Sequence, residues 1–387
     1  MNDIQSDFFN ELMNYELTQI PSETRFWMIR TKQGYFYEEF IKNQYVAVAW
    51  NTIDKSTNFS PASKDAVCDL IRTSYKEIKR PATVFNKCDR FINHINLNDI
   101  LIIPSASSRY ITFAYAGEYY EDNTKTYDEE IDIISKIESG TIDTVVQPSC
   151  PYKKRRKITI IRTVKSSEIN LALLKSISSY HGVCSLDKEA YYILDHLFNS
   201  YSYNHKTHLV FHVGTDNPIP AKDFSGFLYY VTKLLSCAYK NEEAISTQAS
   251  VHSVGDFIFQ IPDLIAVPSK DYLFFIALAV ILGGGKFGKN ELPGIAKTIK
   301  SFINIPHEMK MNEQKLTEKK LKNLDMAIEI KKKLDASGIS PDELQVISDT
   351  LITSSTKMKI EPIKHNNVIP DSSDLQNTET DDESEEQ

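Results

Sequence analysis

Four short apolar runs constrain this chain most: "FWMI" at 26–29, "YVAVAW" at 45–50, "ILIIP" at 100–104 and "YITFAYA" at 110–116. Runs this short, rich in β-branched and aromatic side chains and bounded by polar turns, fit strands rather than buried helices. Helical patterns lie between them. "YFYEEFIKN" follows the first run, and "SPASKDAVCDLIRTSYKEI" opens on a serine cap with Pro61 at the first helical position. The acidic "DEEIDIISKIESG" reads as a loop or surface helix, and "CPYKKRRKITIIRTV" closes the region with a strand entered through a cationic cluster. Short strands with helices inserted early predict a small, partly closed β-barrel carrying helices, within an α+β chain.

The 387 residues are enough for two or three cores. Residues 1–24 read as an amphipathic helix with Phe9, Leu12, Met13, Leu17 and Ile20 on one face, stopped by Pro21. The barrel occupies 25–165, and 166–205 reads as a helical bridge. A second, smaller α+β domain spans 206–304, with "THLVFHV" as a strand, "AKDFSGFLYYVTKLLSCAYK" as a helix, and "ISTQASVH" and "GDFIFQI" as a hairpin. Residues 305–352 hold C-terminal helices, one over 313–336 and one capped by Ser340 with Pro341 behind it. From 353 to 387 the chain turns polar and then acidic, ending "TDDESEEQ", and reads as a disordered tail.

A net charge of −8 argues against a generally basic nucleic-acid binder but leaves room for a local basic patch. Five cysteines at 68, 88, 150, 184 and 237, with no CxxC among them, read as isolated reduced thiols in the cytoplasm rather than a disulfide or zinc framework. No signal-peptide pattern opens the sequence. The apolar run Tyr272–Leu282 has 11 residues, whereas a membrane span needs about 20. It reads as a buried core helix, with a membrane-inserting element as the sharper alternative.

Both tryptophans of the chain fall in "FWMIRTKQGYFYEEFIKNQYVAVAWN". Aromatic walls can stack on a flat ligand, an arginine can clamp phosphate or cap a ring, and a glycine lets backbone N–H groups approach. Trp27, Arg30, Gly34, Phe36, Trp50 and Asn51 could supply such a ligand-binding set. The plainer alternative makes Trp27 and Trp50 core residues and Gly34 a turn. Lys153, Lys154, Arg155, Arg156 and Lys157 form the densest positive charge and are the candidate contacts to a nucleic-acid backbone; a solvated loop is the alternative.

The same stretch resembles the N-terminal module of Mrr-type restriction endonucleases and related bacterial defence proteins, through Trp27, Ile29, Arg30, Gly34, Phe36, Phe40, Val46 and Trp50. "VFNKCDRFINHINLNDILIIP", "RYITFAYAGEYYED" and "CPYKKRRKITIIRTVKSSEINLALLKSI" are more loosely similar to later parts of that module, so the resemblance covers about residues 25–200. It implies a PUA/EVE-like barrel that reads a modified or flipped base in an aromatic pocket. Ala49 stands where that family usually has glycine, and Thr159 and Ile161 where an aromatic is common.

The D…(D/E)-x-K nuclease core of those endonucleases is not found, nor is a P-loop, nucleophile elbow, HExxH or GxGxxG. No catalytic residue, cofactor or metal is assigned. His205, His208 and His212 in "HKTHLVFH", the pair His181 and Cys184, and "GGGKFG" each have a chemical reading, as metal site, nucleophile pair and anion cradle, and a structural one. The favoured function is non-enzymatic recognition of a base, nucleotide or DNA in bacterial defence, with 206–352 as a surface for a protein partner and, separately, a homo-oligomer as a further expectation. The rivals are a ligand-gated membrane effector using 272–285 and a protein–protein scaffold.

Overall fold

The structure is a computed structural model, and it describes residues 18–141, 148–179, 182–215, 217–236, 245–249, 255–262, 286–287, 290–291, 336 and 338–361. The described residues fall into two compact units, one within Glu23–Ile193 and the other within Leu194–Lys364 plus the residues preceding Glu23. The first strand, β1 (Thr18–Gln19), belongs to the latter, so the helix expected within residues 1–24 does not reach its expected end.

In the Glu23–Ile193 unit, β2 (Phe26–Ile29), β3 (Tyr45–Val48), β4 (Ile100–Pro104), β5 (Tyr110–Glu121), β6 (Lys154–Lys165) and β7 (Val183–Ser185) form one sheet in the order β3-β6-β5-β4-β2-β7. Only β2 and β4 run parallel. Every residue of β2, β3 and β4 is buried, which accounts for their unbroken apolar sequences. The sheet curls into a half-barrel. The long strands β5 and β6 change register between Phe113 and Ala114 and again between Ala116 and Tyr119, and such bulges strengthen twist. Gly117 lies within the second shift, where a Cβ would come 2.9 Å from the carbonyl oxygen of Lys157. The mixed α+β class expected from the sequence is observed; the barrel is open.

Helices α1 (Tyr37–Lys42), α2 (Lys64–Ser74), α3 (Pro81–Asp89) and α4 (Tyr127–Glu138) join these strands. Pro61 opens a 3-10 turn that runs into α2. The acidic segment left open as loop or helix is α4. Thr126 caps it by accepting from the Glu129 N–H at 3.2 Å, its first turn carries Asp128, Glu129 and Glu130, and its last carries Lys136, as the helix dipole favours. Residues 166–205 are not simply a helical bridge. They hold α5 (Leu171–Ser179) and α6 (Ala190–Leu197), but also β7, which pairs with β2, and a strand of the other sheet.

That other sheet has the order β1-β8-β9-β11-β10, formed with β8 (Ser200–Tyr203), β9 (Lys206–Val213), β10 (Ser246–Ala249) and β11 (Gly255–Pro262). The expected strand at "THLVFHV" is β9, and the expected hairpin is β10 against β11. A separate ribbon pairs β12 (Lys286–Phe287) with β13 (Asn290–Glu291). Helices α7 (Ala221–Ser236) and α8 (Pro341–Met358) pack together, with a Cβ at Gly226 falling 3.1 Å from Thr350 and Lys357 Nζ 2.8 Å from Asp223 Oδ2. Ser340 caps α8 as expected, accepting from the Glu343 N–H at 3.2 Å. The chain does not become a tail at 353: α8 continues to Met358, and β14 (Ile360–Glu361) then adds to β9. The remaining expectations, namely the body of the N-terminal helix, the Tyr272–Leu282 run, nearly all of the helix over 313–336 and the acidic end, lie outside the described residues. Among the described residues no helix is long and apolar enough to cross a membrane.

Two carboxylates tie β2 into its sheet. Asp99 is buried; its Oδ1 accepts from the Arg25 N–H, and its Oδ2 accepts from Trp27 Nε1 at 3.0 Å and the Asn96 N–H at 2.8 Å. Asp187 accepts from Arg25 Nε at 2.7 Å and the Phe26 N–H at 2.9 Å. Burial alone would raise the Asp187 carboxyl, but the bonds from Arg25, Phe26 and Ser185 outweigh it and hold it below its ordinary value. A depressed folded-state value adds stability above the unfolded carboxylate value of about 4, and that stability is lost as pH falls through the folded value. Urea midpoints should therefore be lower for Asp187→Asn than for the wild type at pH 7, and the two proteins should converge as pH falls below the folded carboxyl value.

Candidate functional site

The turn that follows β3 is held in an unusual conformation. Trp50 has φ +71°, in the left-handed region that residues other than glycine rarely adopt. The Glu130 carboxylate, delivered by the first turn of α4, fixes it there. Oε1 accepts from the Trp50 N–H at 2.5 Å, and Oε2 accepts from the Asn51 N–H at 2.8 Å and the Tyr75 hydroxyl at 2.9 Å. Burial pushes the Glu130 carboxyl up, and the two N–H bonds act against that rise. Lys154 Nζ holds the carbonyl side, donating to Trp50 O and Ile53 O at 2.7 Å each. Asn51 completes the lacing: Nδ2 donates to Thr126 O at 3.0 Å and Pro151 O at 2.9 Å, and Oδ1 accepts from the Lys153 N–H at 2.8 Å.

Beside this turn opens a cleft of about 250 Å³. Trp50, Tyr75 and Tyr152 give it aromatic walls, and Val48, Ile78, Ile131 and Ile134 give it aliphatic surface. The charged groups in its lining are Arg30, Lys32, Glu77, Glu130 and Glu138, with Lys32 Nζ 2.7 Å from Glu138 Oε1. The volume lies below the roughly 300–1,000 Å³ of sites for drug-sized ligands and suits one small ring system. Trp50 is half-buried, and the Lys87 ammonium stands 5.6 Å from its ring centroid.

The two tryptophans have different environments. Trp27 is only 2 % exposed and donates from its indole to Asp99, so it is a core residue and walls no pocket. Phe36 is likewise core, edge-on to Tyr152 at 5.2 Å. Gly34 (φ +95°) packs against Ala106, where a Cβ would come within 2.5 Å of backbone and side-chain atoms, so it serves a turn. Arg30 does line the cleft, but its guanidinium donates to Ile177 O at 2.5 Å, and burial pulls its pKa down. Asn51 is buried as the lacing residue. Of the expected ligand-binding set, the structure places Arg30 and Trp50 at a cleft.

The cationic cluster is not a solvated patch. Lys154 and Arg156 are buried, and Arg156 donates to Gly117 O at 2.8 Å and Phe91 O at 3.1 Å. Lys153 pairs with Asp54 and Glu121. Arg155 pairs with Asp122 and lies 4.5 Å from the Tyr45 ring centroid. Lys157 is the exposed member. These bonds satisfy internal acceptors, so a five-residue phosphate-binding surface does not exist here.

The other motifs resolve structurally where they are described. His208 stacks on Tyr201 at 4.8 Å and shares a buried network with Asp195 and Gln260. Among the described residues no group of three or more His, Cys, Asp or Glu is placed to hold a metal. Burial pushes the Cys184 thiol up to about 11, which disfavours a nucleophilic thiolate, and His181 lies outside the described residues. Of "GGGKFG", only Lys286 and Phe287 are described, in β12.

Sequence reading missed Tyr75, Glu130 and Tyr152. The helical spacing of Glu130, Ile134 and Glu138 carried a signal for one face of α4, but the two tyrosines carried none. No protein-family model, curated protein or solved structure matches this chain.

Asn51→Ala takes the side-chain partner from the Lys153 N–H and the Pro151 carbonyl, while Thr126 O keeps the Glu130 N–H, and about 3 kcal/mol of stability should be lost. Urea unfolding monitored by circular dichroism measures this.

Proposed function

We propose that the Glu23–Ile193 unit is a non-enzymatic recognition module that receives one flat heterocycle, the base of a nucleotide or of DNA, against Trp50. The observation that carries this reading is the half-buried indole lining an open, base-sized cleft while its backbone is locked by Glu130 and Lys154. Stacking then needs little further ordering of the wall, and preorganisation of this kind favours affinity. The resemblance of residues 26–51 to PUA/EVE-like modules of restriction-associated proteins supports the same ligand class, and bacterial defence against foreign DNA is the setting it implies. Trp50 replaces the expected pair of tryptophans as the stacking wall, and the reading no longer draws on the cationic cluster.

A binding screen with modified and unmodified DNA oligonucleotides tests this. Trp50→Ala should weaken the best binder by roughly 1–3 kcal/mol, about 5- to 150-fold. Equal binding by wild type and variant would remove the reading.

A further inference from the structure

A buried polar group in the cleft is not used by the fold. Tyr152 is 5 % exposed, lines the cleft, and is set edge-on against Phe36. Among the described residues its hydroxyl has no hydrogen-bond partner. Thr52 Oγ1 and Arg156 Nε of the same unit are also unpartnered, but of the three residues Tyr152 is the one that lines the cleft. Folds ordinarily avoid leaving a buried hydroxyl unbonded. Burial raises the pKa of this phenol well above its ordinary value, so it keeps its proton at neutral pH and offers both a donor and an acceptor.

The charges around it narrow what can enter. Three carboxylates, Glu77, Glu130 and Glu138, face the cleft against Arg30 and Lys32. Lys32 is paired with Glu138, and the Arg30 guanidinium bonds the Ile177 carbonyl. The lining itself offers no surplus positive charge to a phosphate; the Lys87 ammonium, outside that lining, stands 5.6 Å from the Trp50 ring centroid. Both Glu130 oxygens already accept bonds from the protein and Glu77 is exposed, leaving Tyr152 as the buried uncommitted polar contact beside the aromatic wall.

We infer that the Tyr152 hydroxyl is the specificity-determining contact of the cleft, donating to a ring carbonyl or ring nitrogen of an uncharged heterocycle, while the phosphate of a nucleotide stays outside. This rests on the reading that Trp50 stacks the base, and it names what the cleft selects: a nucleoside-like ring with an acceptor edge, without phosphate recognition.

Calorimetric titration of the full chain with thymidine, deoxycytidine, 5-methyldeoxycytidine, deoxyadenosine and deoxyguanosine, and with their 5′-monophosphates, tests it. Wild type, Tyr152→Phe and Trp50→Ala are compared. At least one nucleoside should bind the wild type, and its monophosphate should bind no more tightly. Tyr152→Phe should weaken that nucleoside at least about tenfold, with a thermal midpoint equal to or above the wild type because no internal bond is lost. Binding that Trp50→Ala weakens and Tyr152→Phe leaves unchanged overturns this inference while the stacking reading stands. A lowered midpoint for Tyr152→Phe, or a monophosphate bound about tenfold more tightly than its nucleoside, overturns it also. If none of these compounds binds the wild type, or Trp50→Ala binds equally well, the stacking reading falls and the inference falls with it.

Discussion

One carboxylate organises the part of this protein on which its proposed function depends. Glu130 accepts two successive backbone N–H groups, those of Trp50 and Asn51, one on each oxygen. A left-handed tryptophan is a costly conformation that persists only where its surroundings over-determine it. Here Glu130 holds the N–H side, Lys154 holds the carbonyl side, and Asn51 ties the turn to the start of α4 and the approach to β6. The buried ammonium lies near the buried carboxylate, so each offsets part of the other's desolvation. The indole is thereby kept partly out of the core beside it.

The two tryptophans show how much a distant partner decides. Trp27 lies within β2 and Trp50 two residues past β3, yet Trp27 is sealed and Trp50 opens onto a cleft. Asp99, 72 positions along the chain, takes the indole N–H of the first; Glu130, 80 positions along, takes the backbone N–H of the second. An acceptor for the ring draws it inward, whereas an acceptor for the main chain leaves the ring free to face elsewhere.

The apolar runs made the α+β class, most strands and the β10–β11 hairpin legible, because burial on two faces demands unbroken hydrophobic sequence. The cleft was less legible. Its walls come from Trp50, Tyr75 and Tyr152, brought together only by tertiary folding. The cationic cluster misled for a physical reason: on a strand, Lys154, Arg156 and Ile158 share one face, and that face is buried. Read as a loop, the cluster is a charged surface; read with strand periodicity, two of its members point inward and need internal acceptors.

The chain has two tryptophans, so an ¹⁵N-labelled sample shows two indole N–H resonances. Titrating a binding nucleoside while following both peaks tests the account most directly. The Trp50 indole should shift with saturation while the Trp27 indole, bonded to Asp99, stays fixed and exchanges slowly with deuterium. A Trp50 resonance that does not move at saturation, or a Trp27 resonance that moves as far, would contradict the cleft described here.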